Sequence, residues 1–330
     1  MLNESRSEQH KRNSETEAVL SELTRLLAHP KIDYSIGDDP SAIPNIYIVG
    51  CARCGSTVLH QLLVKMLDLC YPTNLISRFF YAPYIGSLVQ RLMSDLDAKG
   101  ELLGNQTSIN LNSELGKTKG ALSPNEFWYY WRLHFTPNEF GYINVQNHNQ
   151  LQAFETGLNE IKRVFGKPLL LKGMIANNCI SEIVGPNSND IVIHVKRKLA
   201  NNALSLLQAR KEYFGDISKW YSFKLPGNMA VANLTPYEQV VYQVAETNRL
   251  IENQLNKVLA ANVITINYED IPKEINNLVE VISARTNAEI VDKIPADFAV
   301  SNSLDAKNQD LQQIELAIQA HLSNLGNPYL

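Results

Sequence analysis

Hydrophobic and polar positions fall into blocks along this chain of 330 residues. Four short apolar runs lack regular polar alternation, which is typical of strands that are covered on both faces of a parallel sheet. These runs lie at 45–49, 168–171, 191–195 and 262–266. The pattern therefore predicts four buried strands.

Longer stretches carry apolar residues three and four positions apart, and this spacing predicts amphipathic helices at 57–69, 236–259 and 309–322. Thr235 is a favourable N-cap for the second of these helices, and Pro236 suits its first turn. Strands that alternate with helices indicate an α/β fold, with a parallel sheet flanked by helices.

The polar residues 1–16 predict a disordered tail. A short amphipathic helix is expected after it, ending at His29-Pro30. No linker rich in Pro, Gly and Ser follows, so we predict a single domain over 17–330. Its interval at about 71–165 is far longer than a minimal crossover and carries two aromatic clusters. We expect most of these rings to build core and some to line a ligand pocket.

The charge balance narrows the classes of function. The chain has 30 Lys and Arg against 34 Asp and Glu, a net charge of −4, which disfavours a general nucleic-acid binder.

No run approaches the roughly 18 apolar residues of a membrane-spanning helix, and the polar N-terminus lacks the apolar core of a secretory signal. With only 4 cysteines there is no disulfide framework. We therefore expect a cytoplasmic protein.

The strongest local signal is the turn from the first predicted strand into the first predicted helix. Gly50 and Gly55 permit a tight turn whose backbone N–H groups point inward. The N-terminus of the following helix adds about half a positive charge. Arg53 can donate two hydrogen bonds to one anion, and Ser56 and Thr57 offer hydroxyls. The turn is therefore suited to a phosphate-like anion.

The spacing of the two glycines is also that of the phosphate-binding loop of kinases and nucleotide hydrolases. Ser56, however, stands where that loop has its lysine, and Arg53 supplies the charge three residues earlier. These differences weaken the kinase or hydrolase interpretation without removing it.

The same turn contains a Cys-x-x-Cys spacing, formed by Cys51 and Cys54. Such a pair can be redox-active, but thioredoxin-like motifs lack the Gly-Ser-Thr helix start found here. No second cysteine pair completes a tetrahedral zinc site. We therefore interpret the spacing as chance and expect no metal.

The segment Ile48-Val-Gly-Cys-Ala-Arg-Cys-Gly-Ser-Thr-Val-Leu59 resembles the 5′-phosphosulfate loop of sulfotransferases, a strand followed by G-x-x-(R/K)-S-G-T-T-x-L. It departs from that form at Cys54, where Ser is usual, and at Ser56, where the first Thr is usual. Both residues are small and leave the backbone turn possible. The resemblance implies that the nucleotide donor is bound by Gly50, Cys51, Ala52, Arg53, Cys54, Gly55, Ser56 and Thr57.

A second segment, at 191–207, resembles the 3′-phosphate segment of the same family. There a strand ends in Arg, and Ser follows eight residues later, as Arg197 and Ser205 do here. An Arg-x7-Ser pair alone carries almost no information about function. Here the pair follows a buried strand and comes after the first loop in the chain, and this order makes the combination specific. The resemblance implies that both side chains hold one phosphate.

Weaker resemblances extend over about 45–325. They comprise Leu171–Asn177, Ile266–Ile271, Ala299–Ser303 and, on the acceptor side, Leu122–Trp131. In the first of these, Lys172 is implied to reach the sulfuryl oxygens. A strand-end lysine in solvent is an equally good interpretation of that residue.

The resemblance implies a P-loop-like α/β fold, with 3′-phosphoadenosine 5′-phosphosulfate as the co-substrate and no metal. The implied reaction is in-line transfer of the sulfuryl group to a hydroxyl or amine of a small-molecule, lipid or glycan acceptor. Arg53 would bridge the leaving phosphate. The aromatic clusters favour an acceptor with an apolar or ring face over a long polyanion.

The general base does not stand out. Glu126, His134 and His148, all in the aromatic insertion, are the candidates, and Glu126 is slightly favoured. Glu126 could instead close a capping box begun by Ser123. Two alternatives to a sulfotransferase stay open: a P-loop kinase or nucleotide hydrolase, and a non-catalytic nucleotide-binding relative.

Overall fold

The computed structural model describes residues 39–97, 113–114, 116–185, 188–225, 233–294, 298, 300 and 308–325, together with positions 18, 21 and 27. The predicted tail at 1–16 and most of Ala299–Ser303 lie outside the described residues. The three described positions of the predicted N-terminal helix are helical.

Four parallel strands form the central sheet, in the order β4-β1-β5-β6. The strands are β1 (Asn45–Gly50), β2 (Ser113–Glu114), β3 (Lys117–Thr118), β4 (Leu169–Lys172), β5 (Ile191–Lys196) and β6 (Val263–Asn267). All four predicted strands are confirmed within about two residues. The antiparallel pair β2–β3 was not predicted, because two-residue strands leave no readable hydrophobic pattern.

Helices lie on both faces of this sheet, which confirms the predicted α/β fold. They are α1 (Ser56–Met66), α2 (Pro83–Met93), α3 (Trp128–His134), α4 (His148–Phe165), α5 (Ile180–Val184), α6 (Leu199–Phe214), α7 (Pro236–Leu255), α8 (Ile271–Thr286) and α9 (Gln309–Leu325). Thr235 caps α7 through a complete capping box with Glu238, as predicted for the N-cap. No helix in the described part of the chain combines the length and the apolar character needed to cross a membrane.

The core is divided by the sheet into two apolar layers. Alternate residues of β1 enter opposite layers, so Tyr47 and Val49 pack on one side while Ile46 and Ile48 pack on the other. The first layer holds most of the buried rings of the insertion, including Trp131. Those rings build core, as expected for most of them.

The carboxyl ends of β1, β4 and β5 meet at one edge of the sheet, because the strands are parallel. Lys172 at the end of β4 pairs in register with Ile48, and Gly50 at the end of β1 pairs with Val195. In open α/β sheets, ligands bind at this edge. The three segments that resemble sulfotransferase segments follow β1, β4 and β5. The sheet topology therefore brings them to the same edge.

Candidate active site

The loop between β1 and α1 has an unusual backbone. Arg53 has a φ of 67° and Gly55 a φ of 98°, so both are left-handed. This conformation is uncommon for a residue other than glycine. A Cβ atom at Gly50 would lie 2.6 Å from the Cys54 sulfur, and one at Gly55 would collide with the ring of Tyr268. The two glycines of the motif are therefore required by close packing as well as by the turn.

Three side chains from other elements hold the carbonyl groups of this loop. The bonds run from Asn177 Nδ2 to Gly50 O (2.9 Å), from Asn202 Nδ2 to Ala52 O (2.8 Å) and from Arg197 Nη1 to Arg53 O (3.1 Å). The C=O and N–H of a trans peptide unit point in opposite directions. The N–H groups of the pinned peptide units therefore face away from these donors, as an anion cradle requires.

Helix α1 begins at the end of the loop with an uncapped N-terminus. Its N-cap, Gly55, offers no side-chain acceptor, and its first turn contains no acidic residue. The positive end of the helix is therefore not neutralised by its own side chains. The Ser56 hydroxyl, at the position of the kinase lysine, contacts the sulfur of Met174 at 3.3 Å.

Arg53, Arg197 and Ser205 converge at this loop from three parts of the chain. Arg53 Nε donates to Ser205 Oγ at 3.3 Å, while Arg197 reaches the Arg53 carbonyl. The Arg197 guanidinium also lies over the Tyr268 ring, 4.6 Å from its centroid. Burial lowers the pKa of Arg197, but an arginine stays charged at neutral pH. Two cations and a hydroxyl thus gather at this loop.

The segment after β6, which the sequence marked only weakly, supports this convergence. Tyr268 fills the space left by the missing side chain of Gly55 and underlies Arg197. The carboxylate of Glu269 accepts hydrogen bonds from the Lys198 backbone N–H at 3.2 Å and from Asn201 Nδ2 at 3.0 Å. It thereby orients the start of α6, the helix that carries Ser205.

Lys172 forms the second part of the site. Its Nζ donates to Thr57 Oγ1 and to Glu126 Oε1, each at 2.7 Å. Its side chain is only 5% exposed and that of Glu126 is 21% exposed. The interpretation of Lys172 as a solvent-exposed lysine is therefore wrong. The backbone of Gly116, in the β2–β3 turn, packs over this group, and a Cβ there would lie 3.4 Å from Thr57 Oγ1.

The capping-box alternative for Glu126 is also wrong. Helix α3 begins at Trp128, after an N-cap at Phe127 with no side-chain cap bond, and the Ser123 hydroxyl donates to Lys119 O instead. The capping box would require the helix to begin just after Ser123, and it begins later. The Glu126 carboxylate is therefore available to accept the hydrogen bond from Lys172.

The two candidate histidines lie elsewhere. His134, at the end of α3, packs against the rings of Tyr130 and Phe154, with centroids 4.7 and 6.0 Å apart, and burial lowers its pKa to about 4. His148 is the first residue of α4 and is exposed. Among the contacts described, only Glu126 of the three candidate bases touches the predicted donor-binding residues.

The two loop cysteines are unreactive by position. Both are free and buried, and they enter opposite apolar layers of the core. Burial raises the pKa of each thiol, so the nucleophilic thiolate is disfavoured. This environment agrees with a chance Cys-x-x-Cys spacing. In the described residues, no cluster of three or more His, Cys, Asp or Glu side chains is placed to hold a metal ion.

Sequence reasoning missed two residues that contact the loop or Lys172: Asn202 and Gly116. Asn202 lies three positions before Ser205 and therefore on the same face of the helix, where the structure buries its amide. This spacing could have been recognised in the sequence. Gly116 lies in a turn with no recognisable motif. The structure therefore adds one residue, Gly116, that no local pattern predicts.

No family model matches the chain, and no curated protein matches it. Among solved structures it is similar to the sulfotransferase domain from the curacin biosynthetic pathway, with 14% identity and a TM-score of 0.39 over 88% of this chain and 94% of that one. It is also similar to a sulfotransferase of Mycobacterium tuberculosis H37Rv (14% identity, TM-score 0.43, 88% and 75% covered) and one of Mycobacterium avium (11%, 0.46, 93% and 72%). At these values the likeness carries no argument about function, which has to come from the site.

Proposed function

We propose that this chain is a sulfotransferase that uses 3′-phosphoadenosine 5′-phosphosulfate. It moves the sulfuryl group to a hydroxyl or amine of a small-molecule, lipid or glycan acceptor. The observation that carries this proposal is the loop at 50–57 with its carbonyls pinned outward, on which Arg53, Arg197 and Ser205 converge.

The donor groups fit this nucleotide. Its 5′-phosphosulfate and its 3′-phosphate present only anionic acceptor oxygens, and the site offers backbone N–H groups, two guanidiniums and hydroxyls. The cradle and the start of α1 suit the 5′ end together with Arg53. Arg197 and Ser205 suit the 3′-phosphate. The nucleotide supplies the sulfuryl group, and in-line transfer forms the acceptor O–S bond as the bond to the leaving phosphate breaks.

Lys172 and Glu126 complete the chemistry. Lys172, fixed by Thr57 and Glu126, places a positive charge where the sulfuryl oxygens gain charge in the transition state. Glu126 is the base that accepts the proton of the acceptor hydroxyl, and its ion pair with Lys172 orients it. No residue of this set requires a metal ion for its role.

The acceptor is expected to have an apolar or aromatic face. Trp128 and Tyr129 directly follow the Glu126 segment and are partly buried. Tyr129 stacks on Phe80, with centroids 5.2 Å apart, and Trp128 stacks on Phe223 at 5.7 Å. Rings beside the proposed base favour an acceptor with a flat apolar surface.

A transfer assay tests the proposal. Radiolabelled 3′-phosphoadenosine 5′-phosphosulfate is incubated with a phenol, a long-chain alcohol, a hydroxylated lipid and a sugar, and label in each acceptor is measured. We expect label in one of the apolar or aromatic alcohols and none with the Arg53→Ala variant. Silence against every acceptor with intact binding of adenosine 3′,5′-bisphosphate would favour a non-catalytic binding module. Binding of ATP with Mg²⁺ alone would favour a kinase.

A further inference from the structure

The proposed base, Glu126, belongs to no helix or strand, since it lies between an isolated bridge at Pro124 and the start of α3. The residue after it, Phe127, is fully buried and has a left-handed φ of 57°. A residue other than glycine keeps this conformation only where its surroundings impose it. The position of the base therefore depends on contacts from other parts of the chain.

Two asparagine side chains supply such contacts. Asn125 Oδ1 accepts a hydrogen bond from the Phe127 backbone N–H at 2.8 Å, and Asn125 Nδ2 donates to Asn74 Oδ1 at 2.8 Å. Asn74 Nδ2 donates in turn to Gly120 O at 2.9 Å and to Thr118 O at 3.2 Å. The two amides thus join the segment of the proposed base to the end of the β2–β3 hairpin.

Backbone groups fix the direction of both amides. A carbonyl oxygen can only accept a hydrogen bond, so the Asn74 nitrogen must face the hairpin carbonyls. A backbone N–H can only donate, so the Asn125 oxygen must face Phe127. The remaining atoms, Asn74 Oδ1 and Asn125 Nδ2, then form a matched acceptor and donor. A flip of either amide would set acceptor against acceptor, or donor against donor, at both of its contacts.

Backbone hydrogen bonds lay the same two segments side by side. Asn74 N donates to Ser123 O at 3.0 Å, and Asn125 N donates to Pro72 O at 2.8 Å. We expect these bonds to persist when the side-chain link between the two asparagines is removed. Loss of the link therefore shifts the segment of the base without unfolding it.

The hairpin end of this network also reaches the site. Gly116, in the β2–β3 turn, has a positive φ of 83°. A Cβ atom on this residue would lie 3.4 Å from Thr57 Oγ1, 3.8 Å from Glu126 Oε1 and 3.9 Å from Lys172 Nζ. The turn therefore rests on the group that these three side chains form. One network of amides thus holds both the carboxylate beside Lys172 and the turn that covers it.

We propose that Asn74 and Asn125 are positioning residues, whose amide link holds Glu126 in place against Lys172. This inference rests on the proposed function, in which Glu126 accepts the proton of the acceptor hydroxyl as the new O–S bond forms. Among the described contacts, neither asparagine side chain bonds to Lys172 or Thr57. The pair therefore acts on the reaction through Glu126, and the donor-binding residues do not depend on it.

The test compares Asn125→Ser with Asn138→Ser. Asn138 makes the same kind of local turn, since its Oδ1 accepts from the Phe140 N–H at 3.0 Å while its Nδ2 donates to Asn144 at 3.2 Å. None of these partners belongs to the proposed site. In both variants the serine hydroxyl keeps an acceptor for the N–H two residues later, while the link to the other asparagine is lost.

Label transfer from 3′-phosphoadenosine 5′-phosphosulfate to the phenol, long-chain alcohol, hydroxylated lipid and sugar is measured in the unmodified background and in Glu126→Gln. We expect Asn125→Ser to lower kcat about tenfold, the value of one hydrogen bond, with the acceptor KM and the affinity for adenosine 3′,5′-bisphosphate within about twofold. In the Glu126→Gln background we expect less than about twofold further loss, because the link acts through that carboxylate. Asn138→Ser is expected to keep kcat within about twofold in both backgrounds.

The outcomes separate the two proposals. If no acceptor takes label from the unmodified chain, the proposed function fails, and the inference fails with it. If label is transferred, an equal kcat in Asn125→Ser and Asn138→Ser overturns the inference, while the proposed function stands. An equal loss in both backgrounds overturns it as well, since a purely structural role predicts that result. Asn74→Ala cuts the same link from the other side, and it replaces Asn125→Ser in the comparison if the thermal unfolding midpoint shows that Asn125→Ser is unfolded.

Discussion

The two sides of the site are built in different ways. The proposed donor side is one continuous turn, 50–57, to which Arg197 and Ser205 are added by the neighbouring strand and helix. The proposed acceptor side is assembled from segments far apart in the chain: Gly116, Glu126, and Phe223 stacked on Trp128. A contiguous motif can be recognised from sequence because backbone geometry constrains it locally. A site assembled across the chain leaves no such pattern.

Both sides nevertheless share one backbone feature. Four non-glycine residues in the described part of the chain have a positive φ, namely Arg53, Phe127, Ser222 and Asn287. Two of these lie at the proposed site: Arg53 in the loop and Phe127 directly after Glu126. Strained backbone concentrates at functional sites because the surrounding packing must hold reactive groups in place. The positive φ of Phe127 thus draws attention to the segment around Glu126, which the sequence marked only weakly.

The largest expected effect lies on the acceptor side. Glu126→Gln keeps the shape of the side chain but removes the proposed base and the charge that pairs with Lys172. We expect turnover to fall about 10²–10⁴-fold, with the affinity for adenosine 3′,5′-bisphosphate nearly unchanged. Glu139→Gln, at an exposed carboxylate, is the control. Full turnover in Glu126→Gln would remove Glu126 from the mechanism and weaken the division into two sides.

The next effect lies on the donor side. Arg197→Ala removes the cation over Tyr268 and the bond to the Arg53 carbonyl. We expect the affinity for adenosine 3′,5′-bisphosphate to fall about 100-fold, the value of two hydrogen bonds to a charged group. Calorimetry measures the loss. Arg249→Ala, at an arginine paired with Glu246 on the surface, is the control; an equal loss in both variants would contradict a specific site.

A smaller effect is expected from releasing one pinned carbonyl. Asn177→Ala leaves the Gly50 carbonyl without its side-chain donor and allows the cradle to turn. We expect about tenfold weaker nucleotide binding and lower stability, because a buried acceptor loses its partner. Asn178→Ala removes the neighbouring amide, which bonds to Asn144 instead. Equal nucleotide affinity in the two variants would show that the pinned carbonyls do not organise the loop.

The smallest effect concerns His134, which the sequence offered as a base. We expect His134→Gln to keep turnover within about twofold, since the imidazole packs on Tyr130 and Phe154. Its pKa is about 4 when folded, against 6.5 for the free side chain. The unfolded chain therefore binds the extra proton first as the pH falls, and stability is lost between 6.5 and about 4.

His134→Gln should accordingly reduce the dependence of the free energy of unfolding on pH in that window. Urea unfolding at pH 7 and at about pH 5 measures the change. The two buried histidines, His60 and His194, keep their own contributions in both proteins, because burial lowers their pKa values as well. A large loss of turnover in His134→Gln would instead restore His134 as a candidate base.

The sequence predicted what depends on local pattern. The four sheet strands could be predicted because burial on both faces leaves unbroken apolar runs. The position of Arg53 in a tight turn could be predicted from the turn that contains it. Arg197 and Ser205 were implied by the family resemblance of their segment, and both side chains contact Arg53 in the structure. The burial of Lys172 could not be read, since it depends on Thr57 and Glu126 arriving from other elements. Gly116 was missed for the same reason, because its contact with Thr57 joins two distant segments.

The central claim is that the donor side recognises a nucleotide phosphorylated at both its 3′ and 5′ positions. One calorimetric comparison tests it directly, by titrating the unmodified chain with adenosine 3′,5′-bisphosphate and with adenosine 5′-phosphate. The account predicts at least about 100-fold tighter binding of the bisphosphate, because only that ligand engages Arg197 and Ser205 with a 3′-phosphate. Equal affinities for the two nucleotides would contradict it.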